Sequence, residues 1–492
     1  MNAISFDLIP NNIRTPGAFF EIDNTRALKG LPGMPCRIMV IGQKLATGTE
    51  PAEVPVRITS EAQAEAAFGR GSMLHRMFRA LKKTNDWSET WGIPLDDDGA
   101  AAAATGNVLF GGAVTAAGTI NLYIDGQRVR IGVAVGDTNS EIATAVAAAI
   151  NAATDLPVTA AVNGVTTEQI DITARNKGEA GNSLDIRTNY YVGEALPTGL
   201  TATITAMNGG SANPDITAAT AAFGDTWYTD VAMPYTDAAN LTVLEAEMEA
   251  LYGPLEQADS FAYAAARGSF ATLVTLGNSR NSPHLSILQA NGNPNSPEQK
   301  AAALTGVAAY FTNIDPARPL QTLPLKGILP PDPQDRFNLS ERNQLLFDGI
   351  STTTVNDGGV EQIERIITTY ETNANGVDDP SYLDMVTLKT IAYVRYAMRV
   401  RVLTKFPRHK LAGDGNAFGK GQAIMTPSVM EAEMTALGMD LVEAGIIENL
   451  DQWKSGMIYE IPDGDVNRMN AVFTPDLVNQ FRVFAARISF IL

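Results

Sequence analysis

The chain has 492 residues, with 36 Lys and Arg against 54 Asp and Glu, a formal net charge of −18. That balance excludes the basic footprint that broad nucleic-acid binding needs. A single cysteine, Cys36, excludes an intrachain disulfide and a cysteine metal cluster.

Hydrophobic residues at 45% and charged residues at 18% are a globular composition. The length suggests roughly three domains of ordinary size. The start "MNAISFDLIP" has no basic region and no long apolar core, so it does not read as a secretory signal. No run of about 18 apolar residues occurs, so no membrane insertion is expected. Synthesis and assembly in the cytoplasm is the expectation.

Residues 1–25 read as an extended N-terminal arm, because Pro10, Pro16 and Gly17 oppose a helix. Residues 26–98 form the first part of an α/β core. "CRIMVIGQKL" gives a buried strand over Arg37–Ile41. "SEAQAEAAFGRGSMLHRMFRALKKTN" gives a helix with Ser60 as N-cap, and "ETWGIPL" another strand. At "DDDGAAAAATG" the composition shifts. Residues 99–214 are rich in Gly, Ala, Thr and Val, with alternating runs such as "TINLYID", "VRIGVAV" and "QIDITARN". "IDGQ" reads as a hairpin turn, and "SEIATAVAAAINAAT" as a helix with Ser140 as candidate N-cap. This is a β-rich module inserted into the core.

The α/β pattern returns over residues 215–345. "TWYTDVAMPY", "SFAYAAARGSF" and "HLSILQA" read as strands. "DAANLTVLEAEMEALYG" and "SPEQKAAALTGVAAYFTN" read as helices, the first with Asp237 at its start and Gly253 at its end. Such alternation implies a parallel or mixed sheet covered by helices. Residues 316–333 read as a proline-rich ordered loop. Residues 346–480 read as a C-terminal α+β domain. It opens with a hairpin around "NDGG", then a long helix from Ser381, then a helix with Thr426 as N-cap and Pro427 in its first turn. "GMIYEIP" and "NQFRVFAARISFIL" read as strands, and residues 481–492 as a C-terminal arm. The fold class is α+β multidomain.

Little in the chain looks catalytic. His75, His284 and His409 are the only histidines, and none lies in a close metal-ligand spacing. Ser72 and His75 in "GRGSMLH" continue a helix, and nothing resembles G-x-S-x-G. In "AGDGNAFGKGQ", Gly413 and Gly415 begin G-x-G, but Phe418 stands where the third glycine belongs. "PLDDDG" lacks the alternate spacing of a calcium loop. No catalytic, cofactor or metal residue is assigned. The basic stretch "RYAMRVRVLTKFPRHK" stands out in an acidic chain. Its plain account is a helix whose long side chains cover neighbouring acidic domains. Its functional account is a cationic strip of Arg395, Arg399, Arg401 and Lys405 for an acidic protein partner.

Both ends carry strand-like stripes. Ile4, Phe6 and Leu8 alternate with Ser5 and Asp7, and Phe484, Ile488, Phe490 and Leu492 share one side of the other end. Such strands either join the chain's own sheets or add to sheets of neighbouring copies. Alternation alone leans to the first, because terminal strands commonly join their own sheet.

The chain resembles the contractile tail sheath proteins of myophages, most closely those of Mu-like phages. The resemblance is carried by "RTPGAFFEIDNTRALKGLPGMPCRIMVIGQ", "LPLKGILPP", "FDGISTTTV", "LKTIAYVRYAMRVR" and "GDVNRMNAVFTPDLVNQFRVFAARISFIL". Pro16-Gly17-Ala18-Phe19-Phe20-Glu21 is similar to the family's P-G-x-Y-x-E. It covers the whole chain and rests on overall likeness. It implies a core of subtilisin-like topology without protease activity. It also implies a helical homopolymer of stacked rings around an inner tail tube, located in the virion and ending at baseplate and tail terminator proteins. Ile4, Phe6 and Leu8 would then be N-arm anchors, and Phe484, Ile488, Phe490 and Leu492 C-arm anchors. The receiving sheet would include "GISTTTV", "EQIERIITTY" and neighbouring C-terminal strands, and the basic strip would face the tube. The competing reading is an α/β hydrolase-like enzyme with an accessory β-module.

Overall fold

The computed structural model describes residues 15–20, 30–419 and 421–491. It divides into two compact units: Pro35–Leu388, and Met1–Met34 together with Lys389–Leu492.

The larger unit begins with β1 (Arg37–Gln43), β2 (Val56–Arg57), α1 (Glu61–Phe68), α2 (Met73–Thr84) and β3 (Glu89–Leu95). The expected single helix over residues 60–85 is therefore two. Gly69 and Gly71 take φ of 87° and 80° between them, a conformation that stops a helix and that L side chains resist. Ser60 caps the first helix as expected. Ser72 caps the second, accepting from His75 N at 3.1 Å.

The inserted module holds β4 (Thr105–Gly112), β5 (Gly118–Ile124), β6 (Gln127–Val133), α3 (Asn139–Ala152), β7 (Val158–Val162), β8 (Gln169–Ala174), β9 (Ile186–Thr188) and β10 (Leu200–Asn208). An antiparallel bridge between Ala102 and Ser211 closes its neck. Four strands form a sheet in the order β10-β4-β8-β7 and three another, β6-β5-β9. Their inner faces and α3 bury a core of their own, including Val108, Ile120, Leu122, Val146, Ile150 and Ile172. The α3 cap is Thr138, not Ser140: Thr138 and Glu141 form a reciprocal capping box.

The chain returns through α4 (Thr217–Ala221), β11 (Asp230–Ala232), α5 (Ala238–Tyr252), β12 (Phe261–Ala266), α6 (Phe270–Asn278), β13 (Leu285–Gln289) and α7 (Pro297–Ile314). Then come α8 (Leu339–Phe347), β14 (Ile350–Val355) and β15 (Glu361–Arg365). One eight-stranded sheet runs β15-β14-β13-β12-β11-β1-β3-β2. Its six middle strands are parallel, and β2 and β15 add antiparallel edges. Parallel strands covered by helices are buried on both faces, and β12 and β13 are buried along their whole length and β1 at all but its first residue. α7 is buried on nearly every side. It approaches α2 so closely that a Cβ on Gly306 would lie 2.3 Å from Thr84 Oγ1.

The hairpin assigned from sequence to the C-terminal domain belongs to this sheet instead. β14 pairs with β13, and β15 is covered by the proline-rich loop. Thr322 N donates to Ile363 O at 2.8 Å, Ile363 N to Leu323 O at 2.9 Å, and Leu325 N to Glu361 O at 3.0 Å. In the single chain this segment covers the edge of β15 over Glu361–Ile363.

The boundary between the units falls inside α9 (Met385–Lys405). The smaller unit contains β16 (Lys410–Leu411), β17 (Ile424–Met425), α10 (Pro427–Glu443), β18 (Ile447–Glu448), α11 (Leu450–Ser455), β19 (Ile458–Glu460), β20 (Asn470–Val472) and β21 (Asp476–Leu477). These strands pair only two at a time: β16 with β17, β18 with β21, β19 with β20. Thr426 caps α10 and Pro427 occupies its first turn, as expected.

Candidate functional site

The smaller unit is organised around Trp453. Its ring is fully buried, stacks on Phe473 at 5.7 Å and donates from Nε1 to Met434 O at 2.9 Å. A Cβ on Gly438 would lie 2.6 Å from that nitrogen, so α10 can pass only because the position is glycine. Beyond this small core the chain is open. Ile458 and Val472 are cross-strand partners of β19 and β20, share a face, and are both exposed.

The C-terminal arm follows. No strand or bridge of the described residues includes a residue beyond Leu477. Residues 483–491 are exposed throughout. Phe484 is 79% exposed, Ile488 90% and Phe490 80%. Among the described residues the strand expected over "NQFRVFAARISFIL" is thus not formed, since a ladder needs a partner and no described strand pairs there. Leu492, and the N-arm anchors Ile4, Phe6 and Leu8, lie outside the described residues.

The basic strip divides. Arg401 donates to Glu433 at 2.5 Å and to Asp440 at 3.0 Å, and Lys405 to Glu433 at 2.5 Å. Two of the four cations are thereby matched to carboxylates of α10. These interactions, after the opposing effect of burial, hold the Glu433 carboxyl below its usual range. Arg399 is exposed and Arg395 half-buried.

The place where open α/β sheets bind ligands is only partly filled by protein, and a cavity of about 390 Å³ remains there, lined by Glu179, Tyr235, Asp237, Arg267 and Glu298. That place is the crevice outside the carboxyl ends of the strands, where strand order reverses. Here β1 is followed by β3 on one side and by β11 on the other. At its end Gln43 donates to Asp97 at 2.7 Å and to Lys177 O at 2.6 Å. Asn176 donates to Lys44 O at 2.9 Å and accepts from Met73 N at 2.9 Å. The insert therefore fills the β1 side of the crevice.

A second contact anchors the insert more deeply. Asp125, in the β5–β6 turn, is fully buried and accepts from Arg76 of α2, from Ser296 N at 2.7 Å and from Gln299 at 2.5 Å. Arg76 also donates to Glu298 at 3.0 Å. Burial opposes the Arg76 charge, and Asp125 and Glu298 more than offset it, so its pKa is raised. The carboxylate also lies beside the N-terminus of α7, where negative charge is favoured. Sequence reasoning found the turn in "IDGQ" but not this role; an aspartate in a turn is ordinary, and its partners are remote in sequence.

The Ser72–His75 pair is structural. Ser72 Oγ caps α2, and His75 Nδ1 accepts from Gly71 N at 3.1 Å. Burial, with Arg79 nearby, pushes the imidazole down to about 4. Among the described residues no group of three or more His, Cys, Asp or Glu could hold a metal ion, and no helix is long and apolar enough to cross a membrane.

Comparison with known proteins identifies the family. Residues 209–369 match the phage tail sheath protein central domain and residues 377–491 the phage tail sheath C-terminal domain. Strands β4 to β10 and helix α3 of the insert lie outside both. The chain is 42% identical over 490 residues to the Mu-like prophage FluMu tail sheath protein of Haemophilus influenzae, covering 100% of each. In fold it is similar to the sheath tail protein Lin1278 from Listeria innocua, with TM-score 0.51 and 13% identity over 92% of this chain and 94% of that one. A looser likeness, TM-score 0.48 and 13% identity, is to the sheath tail protein DSY3957 from Desulfitobacterium hafniense, over 94% of this chain and 100% of that one. By its full-length identity and its two sheath domains, the chain belongs to the contractile phage tail sheath proteins, among those of Mu-like phages.

Proposed function

We propose that the sheath subunit polymerises by strand exchange. The C-terminal arm of one copy adds to an open two-stranded sheet in the smaller unit of a neighbour. The observation that carries this reading is the exposed alternating stripe of Phe484, Ile488 and Phe490 beside strands that are paired only on one side. Burying three such side chains is worth about 1.5–3 kcal/mol each. The β19–β20 sheet, with exposed Ile458 and Val472, is the receiving surface that fits best. It replaces the β14–β15 hairpin in that role. The N-arm, with Ile4, Phe6 and Leu8, acts in the same way.

Head-to-tail exchange between identical chains generates rings where the rotation closes and open helices where it does not. The polymer surrounds an inner tube protein and ends at baseplate and terminator proteins, as a component of the virion assembled in the host cytoplasm. Arg399, exposed on α9, is the member of the strip that fits a tube-facing role best. The insert, with its separate core, lies on the outer surface. Contraction is mechanical: bistable interfaces pass to a lower free energy without nucleotide or cofactor. Any subtilisin-like character concerns strand order and not chemistry.

Negative-stain microscopy of the purified protein at high concentration tests the reading, with striated hollow cylinders expected. Deleting residues 482–492 is expected to leave a folded, soluble monomer. Unchanged polymerisation would refute the arm's role, and stoichiometric ATP hydrolysis would refute the mechanical one.

A further inference from the structure

A groove of about 430 Å³ lies on the larger unit between the end of α8 and the segment 365–383. Leu346, Phe347 and Leu383 line it, and Phe347 is 71% exposed. Its other lining is acidic: Glu371, Asp378 and Asp379. The cation beside it is already matched, since Arg365 donates to Asp384 at 3.0 and 2.8 Å. Glu371 Oε1 is buried without a hydrogen-bond partner. Burial, and then the charges of Asp348 and Asp378, push the Glu371 pKa up. The groove is thus an apolar floor with an excess of negative charge.

The end of α9 in the smaller unit has the complementary character. Leu403 is 60% exposed, and Arg408, His409 and Lys410 follow it, all exposed. Arg401 and Lys405 are matched by α10, but Arg408 has no carboxylate partner among the described residues. In a chain of net charge −18, an apolar residue beside uncompensated cations is uncommon.

We propose that the α9 end of one copy, with Leu403 and Arg408, docks in the acidic groove of another copy, beside Phe347 and Asp378. This contact rests on the polymer reading above but is independent of the arms. It joins two different surfaces, so it propagates into a ring or an open helix. Opposite charge around an apolar contact fixes register and partner.

A charge swap in the full-length chain tests it, because Asp378 and Arg408 are both exposed and neither holds the fold. Asp378→Lys and Arg408→Glu are each expected to raise the protein concentration needed for assembly by about tenfold, with thermal melting unchanged. The double variant is expected to recover to within about threefold of the parent. Assembly is followed by light scattering and sedimentation, with arm-deleted chain in parallel. If the parent assembles and neither single variant differs, the groove contact is wrong and the polymer reading stands. If the single variants fail and the double does not recover, the occupant is not the α9 end. If the parent shows no self-association at any concentration, both readings fall.

Discussion

The two units solve the problem of strand edges in opposite ways. In the larger unit the sheet ends on the two-residue β2 at one side, and at the other the Thr322–Leu325 segment caps β15. Its interior is fastened by ions: Arg76 with Asp125 and Glu298, and Lys300 with Glu361 at 2.5 Å, all buried. The smaller unit has strands of two or three residues paired two at a time, and an apolar arm in solvent. Isolated two-stranded sheets are marginal in water and gain from a third strand. One region is complete by itself; on the strand-exchange proposal, the other would be completed by a copy of the same chain.

The largest effect should come from breaking the open region. Ile488→Asp with Phe490→Asp is expected to abolish polymer in the microscope, because the arm could no longer bury its stripe. Thermal melting should stay within about 1 °C, because both residues are exposed in the single chain. A comparable loss of melting temperature would mean that the arm packs on its own unit.

The closed region should respond in the converse way. Arg76→Met leaves Asp125 and Glu298 buried without their cation. It is expected to destabilise the larger unit by about 3–5 kcal/mol in denaturant titration. Asp125→Ala in the same background should recover part of that loss, as a double-mutant cycle would show.

Most local features were legible in the sequence. Ser60, Asp237 and Thr426 cap helices as expected, since a cap is decided within four residues. Errors came where a signal was weak or distant. The α3 cap expected at Ser140 falls at Thr138, which has the capping-box spacing to Glu141. The glycines at 69 and 71 were read through. β4 was missed because "TGNVLFGG" ends in glycines. The β14–β15 hairpin was found but given to the wrong domain, since only pairing with β13 reveals its sheet. The Arg76 anchor joins residues 49 and 222 positions apart, and no local pattern announces such pairs. The arm's alternation was legible. Its pairing was not, because no strand among the described residues pairs with it.

Acid should act on the closed region next. His75 is buried and neutral, its pKa held down to about 4, and the unfolded value is near 6.5. The unfolded state binds the extra proton between these values. The contribution is therefore complete above about pH 6.5 and is lost as pH falls toward 4, amounting to about 2–3 kcal/mol. His75→Gln should flatten that part of the stability profile, measured by urea midpoints from pH 7 to pH 4.

The smallest effect sharpens the comparison within the larger unit, by asking whether the insert's core is energetically separate. Thr138→Ala removes the α3 capping box, which is worth about 1 kcal/mol. The chain's four tryptophans, at 87, 91, 227 and 453, all lie outside residues 99–214, so tryptophan fluorescence would not report the change. Hydrogen exchange at the α3 amides would. If the insert opens as its own cooperative unit, protection should fall about fivefold across α3 and the strands it covers, while β1 and β12 keep theirs. Equal loss in β1 and β12 would mean that the filled β1 side of the crevice and the Asp125 anchor make insert and core a single cooperative unit.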